Sequence, residues 1–307
     1  MTTKGRWPLI ITFLAPGLLL YGVFVLSSFV QGVQISLTDW TGLTPDFNYV
    51  GLANYTDLLR DGEWWRALRH NVILLIFVPV VTLSLALFLA SMLARGGPGA
   101  LRGAKGAGFY RVVFFFPQVV PVVIIGIMFL YIYASQGGLL QGILGLVGVD
   151  LLDVIPNGPL GNPRTILFAI ALAGVWSSVG FYLVLFLAGM GQVPAELYEA
   201  AALDGATGVR SFFSVTLPLI WSHVQTALVY LGIGTLDSFA LVAVMAHNGV
   251  DADFGSDTMS TLLYRTAFTL NSQFGYASAM GTMMMIFSIV LAMITFRLTR
   301  RDRIEYT

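Results

Sequence analysis

Apolar residues gather into six long runs separated by polar connectors: Leu9 to Val30, Val72 to Leu93, Val112 to Tyr133, Ile166 to Met190, Val224 to Met245 and Ala277 to Phe296. A helix rises about 1.5 Å per residue, so roughly 20 mainly apolar residues cross the hydrocarbon layer of a bilayer. Each run is long enough for one crossing and too long for an ordinary strand. The pattern predicts an all-α transmembrane fold with six membrane-spanning helices, organised as a single transmembrane domain over residues 1–307. The first run follows Lys4 and Arg6. It exceeds the apolar core of a signal peptide and has no small-residue cleavage site beyond it, so it is expected to stay as an anchor.

Local chemistry modifies this plan. Pro117 and Pro121 lie inside the third run, four residues apart on one helix face. Each lacks a backbone donor and crowds the turn before it, which predicts a kink or local opening. In the connector from Ser36 to His70, Asn54 is placed to cap a short helix leading to Leu58 and Leu59. Trp64, Trp65 and Leu68 give a second short helix its apolar stripe. Trp40, Trp64 and Trp65 are expected to mark headgroup contact. The Gly- and Pro-rich connector from Gln136 to Arg164 is expected to be irregular. Between about 191 and 220 the pattern reads helix, tight turn, helix. Ala195, Glu196, Leu197, Glu199, Ala200 and Ala201 favour helix, and Gly205 breaks the run. Val209, Phe212, Phe213, Val215 and Leu217 then form an amphipathic stretch before Pro218 turns the chain into the fifth run.

Composition supports a membrane protein: 57% of residues are hydrophobic and 10% charged, with a mean hydropathy of +0.81 that soluble domains of this length do not show. Net charge is zero, so the placement of charge carries the information. Arg95, Arg102, Lys105 and Arg111 stand between the second and third runs, and Arg297, Arg300, Arg301 and Arg303 follow the sixth. Acidic residues such as Asp39, Asp46, Asp57, Asp61, Asp150 and Asp153 concentrate in the opposite set of connectors. The positive-inside rule therefore puts both termini in the cytoplasm. The chain has no cysteine, which excludes a disulfide framework and a thiolate metal site. His70 and His247 fall on the outer side and His223 stands at a helix boundary without an evident acidic neighbour in sequence, so neither a catalytic nor a metal-ligating set is expected. The segment Gly103-Ala104-Lys105-Gly106 lacks the spacing of a phosphate-binding loop.

Polar side chains at membrane depth are costly and point to a wet pathway. Asp237 lies a little beyond the middle of the fifth run, where an ionised carboxylate costs roughly 2.5–3.5 kcal/mol. With Thr235, Ser238 and Phe239 it can line one wall, and Ser178 with Tyr182, four residues apart on the fourth run, can line another. Hydroxyls, a carboxylate and aromatic faces suit a neutral sugar. The bland alternative is that the hydroxyls bond their own helix backbone and the aromatic rings pack between helices.

The stretch from Glu199 to Pro218 reads E-A-A-A-L-D-G-A-T-G-V-R-S-F-F-S-V-T-L-P. Its Glu199-Ala200-Ala201, Asp204-Gly205-Ala206 and terminal Leu217-Pro218 resemble the cytoplasmic EAA loop of bacterial ABC importer permeases. Val50-Gly51-Leu52 with Asn54-Tyr55, and Phe274-Gly275-Tyr276-Ala277 opening the last run, are similar to the sugar-type subfamily that includes the first permease subunits of maltose and glycerol-phosphate importers. The resemblance implies a permease of the bacterial inner membrane translocating a mono-, di- or oligosaccharide. It also implies a second, different permease, two ATP-binding subunits and an extracytoplasmic solute-binding protein as partners, with no role for nucleic acid. ATP and Mg²⁺ would sit on the ATPase, with no cofactor on this chain. Glu199 would pair with a basic residue of the ATPase, Ala200 and Ala201 would allow close approach, and Gly205 would make the turn. Two departures separate the chain from the subfamily pattern: His247-Asn248-Gly249-Val250 replaces the usual Gly-Gly-Pro, and Phe239-Ala240 replaces Phe-Asp. Glycerol-phosphate or another polyol is the alternative solute, although no run interior carries the Arg or Lys that a phosphate calls for. An ion-coupled carrier using Asp237 is the other alternative, and it leaves the Glu199 loop unexplained.

Overall fold

The computed structural model describes residues 7–94, 106–236, 238–246, 256–270 and 272–298. In chain order its α-helices are α1 (Trp7–Leu20), α2 (Ser27–Ser36), α3 (Ala53–Arg60), α4 (Gly62–Leu93), α5 (Ala107–Val119), α6 (Val122–Ile132), α7 (Leu139–Gly145), α8 (Leu151–Val154), α9 (Gly158–Gly161), α10 (Ile166–Met190), α11 (Ala195–Leu203), α12 (Val209–Ser211), α13 (Leu217–Leu219), α14 (Trp221–Leu236), α15 (Phe239–Ala246), α16 (Met259–Tyr264) and α17 (Phe274–Leu298). Four helices are long and apolar enough to cross a membrane, at Ile11–Ser36, Gly62–Leu93, Ile166–Met190 and Phe274–Ile294. Two bent pairs raise the number to as many as six if each pair is one crossing. The fold is therefore all-α and multi-spanning.

The bends have local causes. The third apolar run breaks between Val119 and Val122 by 100°. Pro117 is accommodated inside α5, whereas Pro121 takes an extended ψ of 135° and opens α6. A proline that starts a helix gives up a donor the first turn does not use, and it forces the residue before it out of helical geometry. The fifth run does not continue from Val224 to Met245 as one helix: α14 ends at Leu236 and α15 begins at Phe239. The 71° bend beside it separates residues 209–219 from 221–236.

The chain divides into two compact units, Met1–Trp65 with Met259–Ile289 and Arg66–Thr258 with Val290–Thr307. In the first, Asn54 sits inside α3 rather than capping it. Its amide donates to Ser36 O and Thr38 O, each at 2.8 Å, so the side chain ties the helix to the preceding chain. Trp64 is fully buried and stacks on Phe287 with ring centroids 6.5 Å apart, which removes it from any headgroup role. Trp64 and Trp65 also belong to the start of α4, not to a separate short helix. Exposed Trp65 donates from its indole N–H to Leu59 O at 2.8 Å. Asn48 donates from its backbone N–H and its amide to Asp39, which holds that carboxyl below its usual range.

The second unit holds the main apolar core, built from α4, α10 and α14 around Ala86, Leu183, Phe186, Ile220 and Ala227. A smaller cluster joins Ile125, Phe129, Ile170, Ala173 and Met245 from α6, α10 and α15. Small residues set the closest approaches, as is usual where lipid gives helices no hydrophobic reason to associate. A Cβ on Gly180 of α10 would run into Phe114 O of α5. The connector 136–164 is more ordered than its composition suggests. It forms α7, α8 and α9, with Asp150 capping α8 by accepting Leu152 N–H at 2.8 Å.

Candidate functional site

Two places carry the functional candidates, both in the second unit. The first is the connector after α10. Pro194 opens α11 with φ −58° and ψ 140°, as suits a residue with no donor to lose at a helix start. At the other end Ala206 N–H donates to Ala201 O at 2.8 Å and Gly205 N–H to Ala202 O at 3.1 Å. This is the paired Schellman closure, which needs a left-handed residue after the cap. Gly205 supplies it with φ +76°. A Cβ there would meet nothing within 4 Å, so backbone conformation and not crowding selects glycine.

Beyond Gly208 the chain continues through α12, a π-helical stretch Phe212–Thr216 and α13. Tyr198 and Thr216 join the two arms through their hydroxyls at 3.0 Å, while Leu197, Tyr198, Phe212 and Leu217 pack against the main core. Pro218 lies in the first turn of α13, and the chain turns instead at buried Ile220. The connector is thus anchored along one side. Glu199, Ala200, Asp204 and Gly205 are exposed, whereas Ala201, Ala206, Leu217 and Pro218 are half-buried. Leu203, Val209 and Phe213 are 91%, 73% and 62% exposed. Three large apolar side chains left open on one connector form a surface suited to a partner.

The second place is a cavity of about 410 Å³ where the interrupted runs meet α10, within the range of small-molecule sites. Its polar lining is Gln118, Ser177, Ser178, Thr235 and Ser238, set among Leu74, Val78, Ile125, Leu231 and Leu241. Ser178, Thr235 and Ser238 are thus brought together from α10, the last turn of α14 and the residue before α15. Ser178 and Thr235 each donate to their own helix, to Gly174 O and Leu231 O at 2.7 Å. Their oxygens keep acceptor capacity. Ser238 Oγ is buried with no hydrogen-bond partner among the described residues, and such a group costs about 1–3 kcal/mol until something meets it.

Tyr182 does not reach this cavity. It is 3% exposed within the main core, because four residues along a helix carry a side chain about 6 Å down the axis. Phe239 opens α15 without lining the cavity. Asp237, the residues His247 to Val250, and Lys4, Arg6, Arg95, Arg102, Lys105, Arg300, Arg301 and Arg303 lie outside the described residues. Two polar lining residues were not singled out in the sequence, Ser177 and Gln118. The signal of Gln118 was available: it is the lone amide of an apolar run, placed between Pro117 and Pro121.

Residues 86–303 match the family described as binding-protein-dependent transport system inner membrane component. Over 300 residues the chain is 42% identical to the diacetylchitobiose uptake system permease protein NgcF of Streptomyces coelicolor, covering 97% of this chain and 84% of that protein. It is 31% identical over 293 residues to the probable ABC transporter permease protein YurN of Bacillus subtilis, covering 95% and 96%. In fold it is similar to a chain of a bacterial alginate ABC transporter solved with an alginate pentasaccharide-bound periplasmic protein. There the TM-score is 0.78 and the identity 20%, over 97% of this chain and 96% of the other.

Proposed function

The chain belongs to the binding-protein-dependent inner membrane components, the permease subunits of ABC importers, and we propose that its solute is a carbohydrate of mono-, di- or oligosaccharide size. A permease of this family is a transport subunit and not itself an enzyme. The observation that carries the sugar reading is the 42% identity, along nearly the whole chain, with a permease named for diacetylchitobiose uptake. The cavity supports it. Serine and threonine oxygens and the Gln118 amide offer acceptors and donors to hydroxyls, while the aliphatic wall suits the C–H faces of a sugar ring. No Lys or Arg lines it among the described residues, so a phosphorylated polyol is served less well.

In this reading the pathway runs past Gln118, Ser178, Thr235 and Ser238, with Tyr182 setting the helix packing behind it, Phe239 opening α15, and Asp237 taken as a further contact from its place in the sequence alone. A second, different permease completes the conduit, and an extracytoplasmic binding protein delivers the solute. Two ATP-binding subunits complete the importer on the cytoplasmic side of a bacterial inner membrane, one of them against the connector 191–220, with both termini on that side. Glu199 meets a basic residue of the ATPase, and Leu203, Val209 and Phe213 are covered by it. Their exposure in the free chain supports this placement. Family membership also makes ATP the energy source, which displaces the ion-coupled alternative.

The test is uptake by the permease pair, its ATPase and its binding protein in sealed vesicles, offered labelled diacetylchitobiose, maltose and glycerol 3-phosphate. ATP-dependent accumulation of a sugar is expected. Accumulation of glycerol 3-phosphate alone would overturn the solute assignment and leave the family standing.

A further inference from the structure

The helix α7, between α6 and α10, turns an aliphatic face outward. Leu139, Ile143 and Leu146 recur at the spacing of one helix face, and with Val147 all are exposed, Leu146 by 87% and Val147 by 73%. The other face is held: Leu140 and Leu144 are half-buried, and Gln141, the polar side chain of α7, turns inward so that its Oε1 accepts Leu151 N–H at 2.7 Å. The outward face is left with no hydrogen-bonding side chain to satisfy.

We propose that this face is seated in the boundary between headgroups and acyl chains, so that α7 lies on the bilayer as an interfacial foot of the third crossing. Three observations select lipid as the occupant. Tyr131, in the last turn of α6, is 74% exposed, and an exposed tyrosine at the end of a crossing marks headgroup level. The chain from 112 to 149 contains no Asp, Glu, Lys or Arg, although a crossing needs only about 20 such residues. The exclusion of charge persists through α7 and ends at Asp150, where α8 begins. A connector bathed in water has no reason to exclude charge over that length, whereas one pressed on hydrocarbon does. Finally, from Leu139 to Val149 the outward residues are aliphatic or glycine, without the aromatic and arginine anchors that protein interfaces favour. The inference rests on the chain spanning a membrane and not on the identity of the solute. Its consequence is mechanical: α6, whose first residue Val122 lines the cavity, ends on a foot whose level the bilayer sets.

The natural chain has no cysteine, so single thiols can be introduced without further change. Gly142→Cys, Gly145→Cys and Leu146→Cys each carry a fluorophore in the full importer complex, in phosphatidylcholine vesicles with nitroxides at shallow or deep acyl positions. The two glycines have no atom within 4 Å of an added Cβ, which keeps the test alive if the leucine variant assembles poorly. For a helix buried about 5–10 Å into the interface, the shallow nitroxide should quench the Leu146 label at least about twofold more than the deep one, with little quenching by aqueous iodide. Asp46→Cys, in an exposed connector, should show the reverse. Iodide quenching at all three α7 positions equal to that at Asp46 would overturn the proposal. Protection from both iodide and nitroxide would also overturn it, by assigning the face to a protein partner.

Discussion

Replacing Gly205 with valine separates the backbone requirement of the connector from every side-chain contact. The native residue sits at φ +76° with open space around the position of a Cβ, so the substitution adds no clash. What it adds is strain. A β-branched residue held in the left-handed region costs about 1–3 kcal/mol, against which the stiffer unfolded chain returns only about 0.4–1 kcal/mol. The two bonds from Ala206 and Gly205 that close α11 depend on that geometry, so the closed form should lose roughly tenfold against the opened one, the ratio that a net loss of about 1.4 kcal/mol represents. The assay is co-purification of the ATPase with the permease pair, followed by ATP hydrolysis stimulated by binding protein and solute in vesicles. Both should fall by about that factor while the thermal stability of the membrane helices stays unchanged. Gly205→Asn should recover most of the loss, because asparagine tolerates the left-handed region, and Gly205→Ala should fall between. Wild-type coupling in the valine variant, or asparagine failing as completely as valine, would refute the conformational argument; the latter would point to crowding against the partner.

Four further outcomes are expected. Glu199→Lys should weaken ATPase assembly by several kcal/mol if a basic residue faces it at a desolvated contact; normal co-purification would remove that contact. Ser238→Ala deletes a buried hydroxyl that has no partner among the described residues, so thermal stability should hold or rise while solute transport falls, and unchanged transport would take Ser238 off the pathway. Gly180→Ala drives a methyl into Phe114 O and should cost at least about 1–3 kcal/mol of stability, read as lower yield of folded permease; a fully stable variant would contradict the close crossing of α5 and α10. Reporter fusions after Arg303 and within Gly97 to Gly106 should report cytoplasm, fusions near Asp46 or Gly158 the outside, and an outside signal at Gly205 would reverse the proposed orientation.

Much of the architecture was legible because crossing a bilayer is a local, additive property. Length and apolarity located the runs, Pro117 and Pro121 announced a break, and Gly205 announced the end of α11. Each of these acts through the backbone of its own segment. Even here the neighbours decided details: of the two prolines only Pro121 opens a new helix, because α5 continues through Pro117. The inward faces were not legible. In a soluble helix polar residues mark the outside, but a membrane helix is apolar all round, so its pattern does not say which side meets lipid and which meets protein. Ser178 and Tyr182 looked equivalent from their spacing, and tertiary packing sent one to the cavity and the other into the core. The same blindness hid the burial of Trp64 under Phe287 and the place of Gln118 in the cavity lining. The sequence by itself determined a chain of apolar helices that crosses a membrane, with a helix-turn-helix connector between two of them. Only the tertiary structure decided which side chains share a cavity, because that depends on how closely small residues such as Gly180 let helices approach, a quantity no single helix contains.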